Sequence, residues 1–222
     1  YRSQERYGRN VRLNRPARVL TRAYFFPPPF VDRRVREVNY FPLSKSLARE
    51  SIGGASVKAL VYHGPNDLRY EDIETPKPGP GDLLIAVKAV GICGSDVHGY
   101  QGITGRRTPP MVMGHEFSGV VAEVGSEVSK VSVGQRVAIQ PFLFCGECEP
   151  CKRRDTNKCK EGRLLGVLST NGAMAEYVVV PEKHAFPLAD DVSFEEGALV
   201  EAAAVALRAI NRLQMERLPE KV

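Results

Sequence analysis

Tryptophan is absent, and aromatic side chains make up only 8% of the chain. Any core must therefore be built mostly from aliphatic residues. No apolar run approaches the roughly 18 residues a bilayer-spanning helix needs, which excludes that class of membrane protein. The longest runs are short, as at residues 202–207. No stretch reads G-x-G-x-x-G, the glycine turn that lets a helix N-terminus meet a dinucleotide pyrophosphate. The nearest candidate, Gly79-Pro80-Gly81, precedes a strand pattern where that turn would have to follow one. Cysteine is scarce: there are five in 222 residues, an odd number with no secretory signal before them. That argues against a disulfide framework. The first methionine is Met111 and the chain opens on Tyr1, so the sequence is expected not to start at a natural N-terminus.

What is present has the balance of a globular chain, with 43% apolar and 26% charged residues. The formal net charge is +5, but it is unevenly placed. Residues 1–50 hold 11 Arg and 1 Lys against 4 acids, whereas the remainder holds 19 basic and 22 acidic side chains. Positive charge thus belongs to an Arg- and Pro-rich leader, residues 1–56, which lacks any sustained apolar period. It is expected to be disordered, or upstream sequence that is not natively translated. A nucleic-acid arm, a membrane-surface tail or a targeting segment are the functional alternatives.

Beyond residue 56 short β-prone segments alternate with turn chemistry. Strands are expected at residues 57–63, 68–74, 83–92, 117–124, 136–139 and 175–180, with a Pro- and Gly-rich loop at 75–82. From Ser193 the chain turns Ala-, Leu- and Glu-rich. Ser193 is placed as an N-cap and Glu196 three residues on completes a capping box. One helix is expected from there. The chain is read as mainly β: a small barrel with long loops at 57–192, then a helix leading out over 193–222.

Four cysteines, Cys145, Cys148, Cys151 and Cys159, have the spacing C-x₂-C-x₂-C-x₇-C. Zinc takes four thiolates in a tetrahedron at about 2.3 Å, and a C-x₂-C step wraps one ion. An iron–sulfur cluster is the competing reading, but its fourth cysteine is followed by proline and Cys159 is followed by Lys160. Lys152, Arg153, Arg154, Lys158 and Lys160 would offset the excess thiolate charge. A site closed by four thiolates folds a lobe and leaves no position for a substrate.

Cys93 stands apart in GICGSDVHGY, with His115-Glu116 downstream. A cysteine, a histidine and a carboxylate would neutralise Zn²⁺ and leave a fourth position open. The bland reading is a small buried thiol. Ser95 and Asp96 are read as possible caps of a short helix after Gly94. Arg106 and Arg107 read as a solvated loop. His63 and His184 receive no role.

The motifs GICGSD, MGHEFSG, VGQRVAI, the four-cysteine lobe and GAMAEYVVVP occur in that order. Together they resemble the zinc-dependent medium-chain dehydrogenase/reductase (alcohol dehydrogenase) family over residues 57–213, closest to its polyol and threonine dehydrogenase branch. The resemblance implies a GroES-like β-barrel catalytic domain with a zinc lobe, and two zinc ions per chain. Cys93 and His115 would be ligands of the catalytic zinc. Glu116 would be the third ligand or a nearby carboxylate, and Glu201, in the segment GALVE, would ligate the metal or hold its water. Ala202 stands where that segment usually has proline. Cys145, Cys148, Cys151 and Cys159 would hold the structural zinc. Ser95 and His98 match the family's proton relay, and Tyr100 would line the substrate cleft.

The implied reaction is hydride transfer between a secondary alcohol or polyol and NAD or NADP. The dinucleotide-binding (Rossmann) domain is expected to be absent from this chain, which is read as the N-terminal catalytic portion of a longer enzyme and inactive alone. The expected setting is cytoplasmic, with no nucleic-acid or membrane partner and homo-oligomer formation by the full-length protein. The alternative is a non-catalytic, zinc-stabilised binding module.

Overall fold

The computed structural model describes residues 56–213. The basic leader, Ser56 apart, and residues 214–222 lie outside the described part, so the expectations for them are not addressed by it.

Strand β1 (Ser56–Gly64) turns at Asn66, which sits at φ 62, and pairs antiparallel with β2 (Asp67–Glu74). Asparagine tolerates this left-handed conformation, so the Gly-Pro-Asn-Asp segment forms the turn its chemistry suggests. The long apolar β3 (Asp82–Gly91) leads into a short helix, α1 (Gly94–Tyr100). Strand β4 (Met111–Val112) returns beside β1, and β5 (Glu116–Val124) pairs with β3. Next come β6 (Arg136–Ile139), β7 (Phe142–Leu143), α2 (Glu149–Lys152) and β8 (Arg163–Leu164). The described chain ends with β9 (Tyr177–Pro181), β10 (Ala185–Pro187), α3 (Phe194–Ala198) and α4 (Val200–Arg212).

The strands form a three-stranded sheet, β2-β1-β4, a five-stranded sheet, β10-β6-β5-β3-β9, and the β7-β8 pair. Every pairing between these strands is antiparallel. Residues 174–176 join the two larger sheets: Leu60 N donates to Met174 O, Glu176 N to Lys58 O, and Val87 N to Glu176 O. That seam wraps the sheets around a shared interior. Leu83, Ile85, Phe117, Val121, Val137, Val178 and Val180 fill one part of it. Tyr62, Met111, Met113 and Met174 fill the other, and Val90 packs against both. Alternating inward residues on β1 and β9 build this core by the period-2 rule.

Ser193 caps α3 as expected, with Glu196 N donating to Ser193 Oγ at 3.1 Å and Glu196 Oε2 accepting from Ser193 N at 2.8 Å. The single helix expected here is two. Gly197 and Ala198 press α3 onto the barrel, and Ser118 Oγ donates to Phe194 O at 2.5 Å. Past Leu199 the helix axis leaves that contact, and no residue of α4 is buried. The break falls where the buried face ends.

The cap of α1 agrees with the sequence reading at Asp96 and differs at Ser95. Cys93 is the N-cap, and Asp96 closes the box by accepting from Cys93 N at 3.1 Å. Ser95 plays no capping part.

Candidate metal centres

The β3–β5 ladder positions the first cluster. Its register runs from Leu83 against Val124 to Gly91 against Glu116, the end of one strand facing the start of the other. Cys93 lies two residues past Gly91, and His115 one residue before Glu116. The last rung therefore brings Cys93 to the adjacent pair His115-Glu116, more than 20 residues on in sequence. The ligand atoms of Cys93, His115 and Glu116 lie within 4.8 Å of one another. Gly91 makes room for this, since a Cβ there would stand 2.6 Å from Glu116 Oε2.

His115 is buried, with Asp96 Oδ1 3.5 Å from its Nδ1. Among the described residues Nδ1 finds no aligned hydrogen-bond partner. The neighbouring Asp96 carboxylate pushes the imidazole up to about 9 against the opposing effect of burial. Asp96 is itself buried; burial raises its carboxyl, and the charges of His115 and Arg107 outweigh that and hold it low. Arg107 Nη2 donates to Asp96 Oδ1 at 3.0 Å, with the two side chains 3% and 2% exposed. The solvated-loop reading of Arg107 is thus corrected. Its guanidinium is drawn inside by a carboxylate that would otherwise be a buried, underpaired charge.

Glu201 lies outside the three-residue cluster, on the wall of an apolar cleft of about 390 Å³ that also involves Ile139, Phe142, Phe186 and Val205. Burial raises its carboxyl, with His115 and Glu116 near enough to act on it in opposite directions. Ser95 and His98 are both exposed on α1, three residues apart and so on one face. Tyr100 is half-buried, and its hydroxyl donates to Asn66 O at 3.2 Å, tying the end of α1 to the β1–β2 turn.

The second cluster lies in the lobe between β7 and β8. Cys145, Cys148, Cys151 and Cys159 converge with all sulfurs within 4.8 Å of one another, four of the six separations being 3.4 to 3.9 Å. A disulfide needs about 2.05 Å, whereas the edge of a tetrahedron with Zn–S bonds near 2.3 Å is about 3.8 Å. Backbone N–H groups already point at the sulfurs: Cys145 N to Cys159 Sγ at 3.3 Å, and Cys148 N and Glu147 N to Cys145 Sγ at 3.3 and 3.4 Å. Such donors favour thiolates, and those of Lys160 and Cys151 pull Cys148 down to about 6. Burial pushes the Cys151 thiol up to about 12, so a fourth thiolate calls for a cation at the centre. Of the surrounding bases, Arg153 and Lys158 are paired with Glu149 and Asp155. Lys183 Nζ, which sequence spacing does not place here, donates to Cys145 O at 2.9 Å.

Both donor sets fit zinc: one is closed by four sulfurs, and the other offers one sulfur, one imidazole and one carboxylate. His184, unassigned from sequence, is fully buried, and among the described residues neither ring nitrogen is aligned to a partner.

Residues 79–190 match the family described as the alcohol dehydrogenase GroES-like domain. The chain is 41% identical over 152 residues to L-idonate 5-dehydrogenase of Vitis vinifera, covering 67% of this chain and 42% of that protein. It is 37% identical over 164 residues to sorbitol dehydrogenase of Bacillus subtilis (strain 168), covering 72% and 46%. A protein of Sinorhizobium meliloti 1021, described as a zinc-binding dehydrogenase and bound to NADP, superposes with a TM-score of 0.66 at 36% identity, covering 72% and 46%. The chain spans less than half the length of each.

Proposed function

The chain belongs to the zinc-dependent, polyol dehydrogenase-like medium-chain dehydrogenase/reductase family, and from that premise we propose that residues 57–192 form the metal-holding catalytic domain of an oxidoreductase acting on a secondary alcohol or polyol. The convergence of Cys93, His115 and Glu116 at the end of the β3–β5 ladder is the observation that carries this reading. These three side chains would hold a catalytic zinc, and Glu201, within electrostatic reach of His115 and Glu116, would hold its water or serve as a further ligand. The four lobe cysteines would hold a structural one. When bound at the first site, zinc supplies Lewis-acid chemistry, lowering the pKa of an oxygen ligand.

The chain's own residues do the rest. Asp96 faces Nδ1 of His115 and so fixes the ring and frees its other nitrogen for the metal. The Cys93 thiolate and the Glu116 carboxylate supply two negative charges that match a divalent cation. A substrate hydroxyl lodged beside the cluster would pass its proton to Ser95 Oγ. Ser95 hands its own proton to the His98 ring on the same face of α1, and His98 releases it to solvent. Tyr100 would stand at the cleft's edge, with its position set by the β1–β2 turn.

Overall, a hydride would leave the carbinol carbon for NAD or NADP. No residue of this chain is assigned to that cofactor, because no strand is followed by a G-x-G-x-x-G turn. Residues 1–222 alone would therefore not turn over a polyol.

Replacing zinc by Co²⁺ tests the substrate-facing position. Titration with sorbitol is expected to shift the visible absorption of the cobalt protein, and Cys93→Ser is expected to abolish that shift. A spectrum indifferent to polyol at saturating concentration would reject the reading. The alternative, a zinc-stabilised binding module, predicts that indifference.

A further inference from the structure

Asp96 is shared by three groups. Its Oδ2 accepts from Cys93 N at 3.1 Å, while its Oδ1 lies 3.0 Å from Arg107 Nη2 and 3.5 Å from His115 Nδ1. Arg107 Nη2 also donates to Ser95 O at 3.3 Å. One guanidinium thus grips both the carboxylate that faces His115 and the backbone of the helix that begins at Cys93. Arg107 is separately held from behind. Leu168 N donates to Arg106 O at 2.7 Å, and Thr108 N donates to Leu168 O at 3.1 Å, so its neighbours on both sides are pinned to one residue. Leu168 itself adopts φ 57, an uncommon conformation for a leucine, and forms an isolated bridge with Arg107. Gly99 leaves the space: a Cβ there would stand 2.9 Å from Arg107 Nε and 3.0 Å from its Cγ.

A barrel does not need a buried arginine for stability. Replacing a buried ion pair by apolar residues is often neutral or favourable, whereas removing one partner leaves the other uncompensated. What the guanidinium adds here is geometry. It is planar and always charged, and with Nη2 on Oδ1 and Cys93 N on Oδ2 the Asp96 carboxylate is held at both oxygens. Without it, Oδ1 would have only the imidazole to pair with and would draw the ring away from the thiolate. The tie between α1 and His115 would loosen as well.

We propose that Arg107 is a positioning residue for the Cys93–His115–Glu116 cluster, setting through Asp96 the separation and orientation of the first two ligands. This rests on the metal-holding reading of that cluster. Groups standing behind metal ligands are typically worth about 10- to 100-fold in metal affinity.

The four-cysteine site is an internal control, since none of the contacts above reaches it. Competition with a chromophoric chelator gives a zinc dissociation constant for each site in the same protein. Arg107→Met is expected to weaken the Cys93 site about 10- to 100-fold and leave the lobe site unchanged. Arg107→Lys keeps the charge without the fork and should fall between. Gly99→Ala keeps the arginine and displaces it, and should weaken the same site selectively if Arg107→Met folds poorly. A role confined to stability would lower both affinities together with the melting temperature and leave their ratio unmoved. An unmoved ratio in Arg107→Lys and Gly99→Ala overturns the inference. Wild-type protein that binds a single zinc overturns instead the reading on which it rests.

Discussion

Gly91 and Glu116 face each other on the last rung of the β3–β5 ladder, so closely that a side chain on Gly91 would meet Glu116 Oε2 at 2.6 Å. The carboxylate is therefore placed by the absence of a side chain across from it. Gly91→Val should displace Glu116 and weaken zinc at the Cys93 site, while β-propensity at a strand end keeps the ladder intact. Zinc affinity of the two sites, with far-UV circular dichroism as the fold control, checks this. Unaltered affinity at the Cys93 site would show that Glu116 is not among its ligands.

The lobe between β7 and β8 has little apolar packing of its own and is organised around four sulfurs. Cys151, its buried member, is the sensitive position. Cys151→Ala is expected to release one zinc and expose residues 145–163 to proteolysis while the barrel stays folded. Limited trypsin digestion reads this at the lysines and arginines of the lobe. A lobe that resists cleavage after losing its zinc would mean that packing, not metal, holds it.

Much of this fold was legible in the residues, for identifiable reasons. Strands β1, β3, β5 and β9 are long enough for alternation and β-branched content to show, and Ser193 and Glu196 announce the start of α3. The four cysteines stand out by spacing alone. Strands β4, β7, β8 and β10 have two or three residues each, too few for any period to register. Arg107 was read as solvated because its partner Asp96 is 11 residues away and Gly99, which makes room for it, carries no signal of burial. His184 looked like part of a loop because its burial depends on Phe144, forty residues earlier in the chain.

His184 gives the fold an acid-side sensitivity. Its ring is fully buried, edge-on to Phe144 with centroids 4.7 Å apart, beside a cleft lined by Lys160, Glu161, Arg163 and Lys183. Burial, and then the charge of Lys183, pulls the imidazole down to about 4. In the unfolded chain it titrates near 6.5, so the unfolded state takes up a proton that the fold refuses. The contribution of the neutral ring is complete above about pH 6.5 and is lost as pH falls toward 4, roughly 3 kcal/mol in all. Urea melts between pH 7.5 and 4.5 should show a shallower decline for His184→Phe than for wild type. Zinc content must be followed in parallel, because thiolate sites also shed metal in acid. Equal declines at equal zinc content would reject this role for His184.

Cys93, His115 and Glu116 form a candidate metal site separate from the four-cysteine lobe. Elemental analysis of the purified protein against its concentration tests this most directly, in wild type and in Cys93→Ser. Two zinc ions per chain falling to one on the substitution is the predicted result. One zinc in the wild type, or two retained in Cys93→Ser, would contradict it.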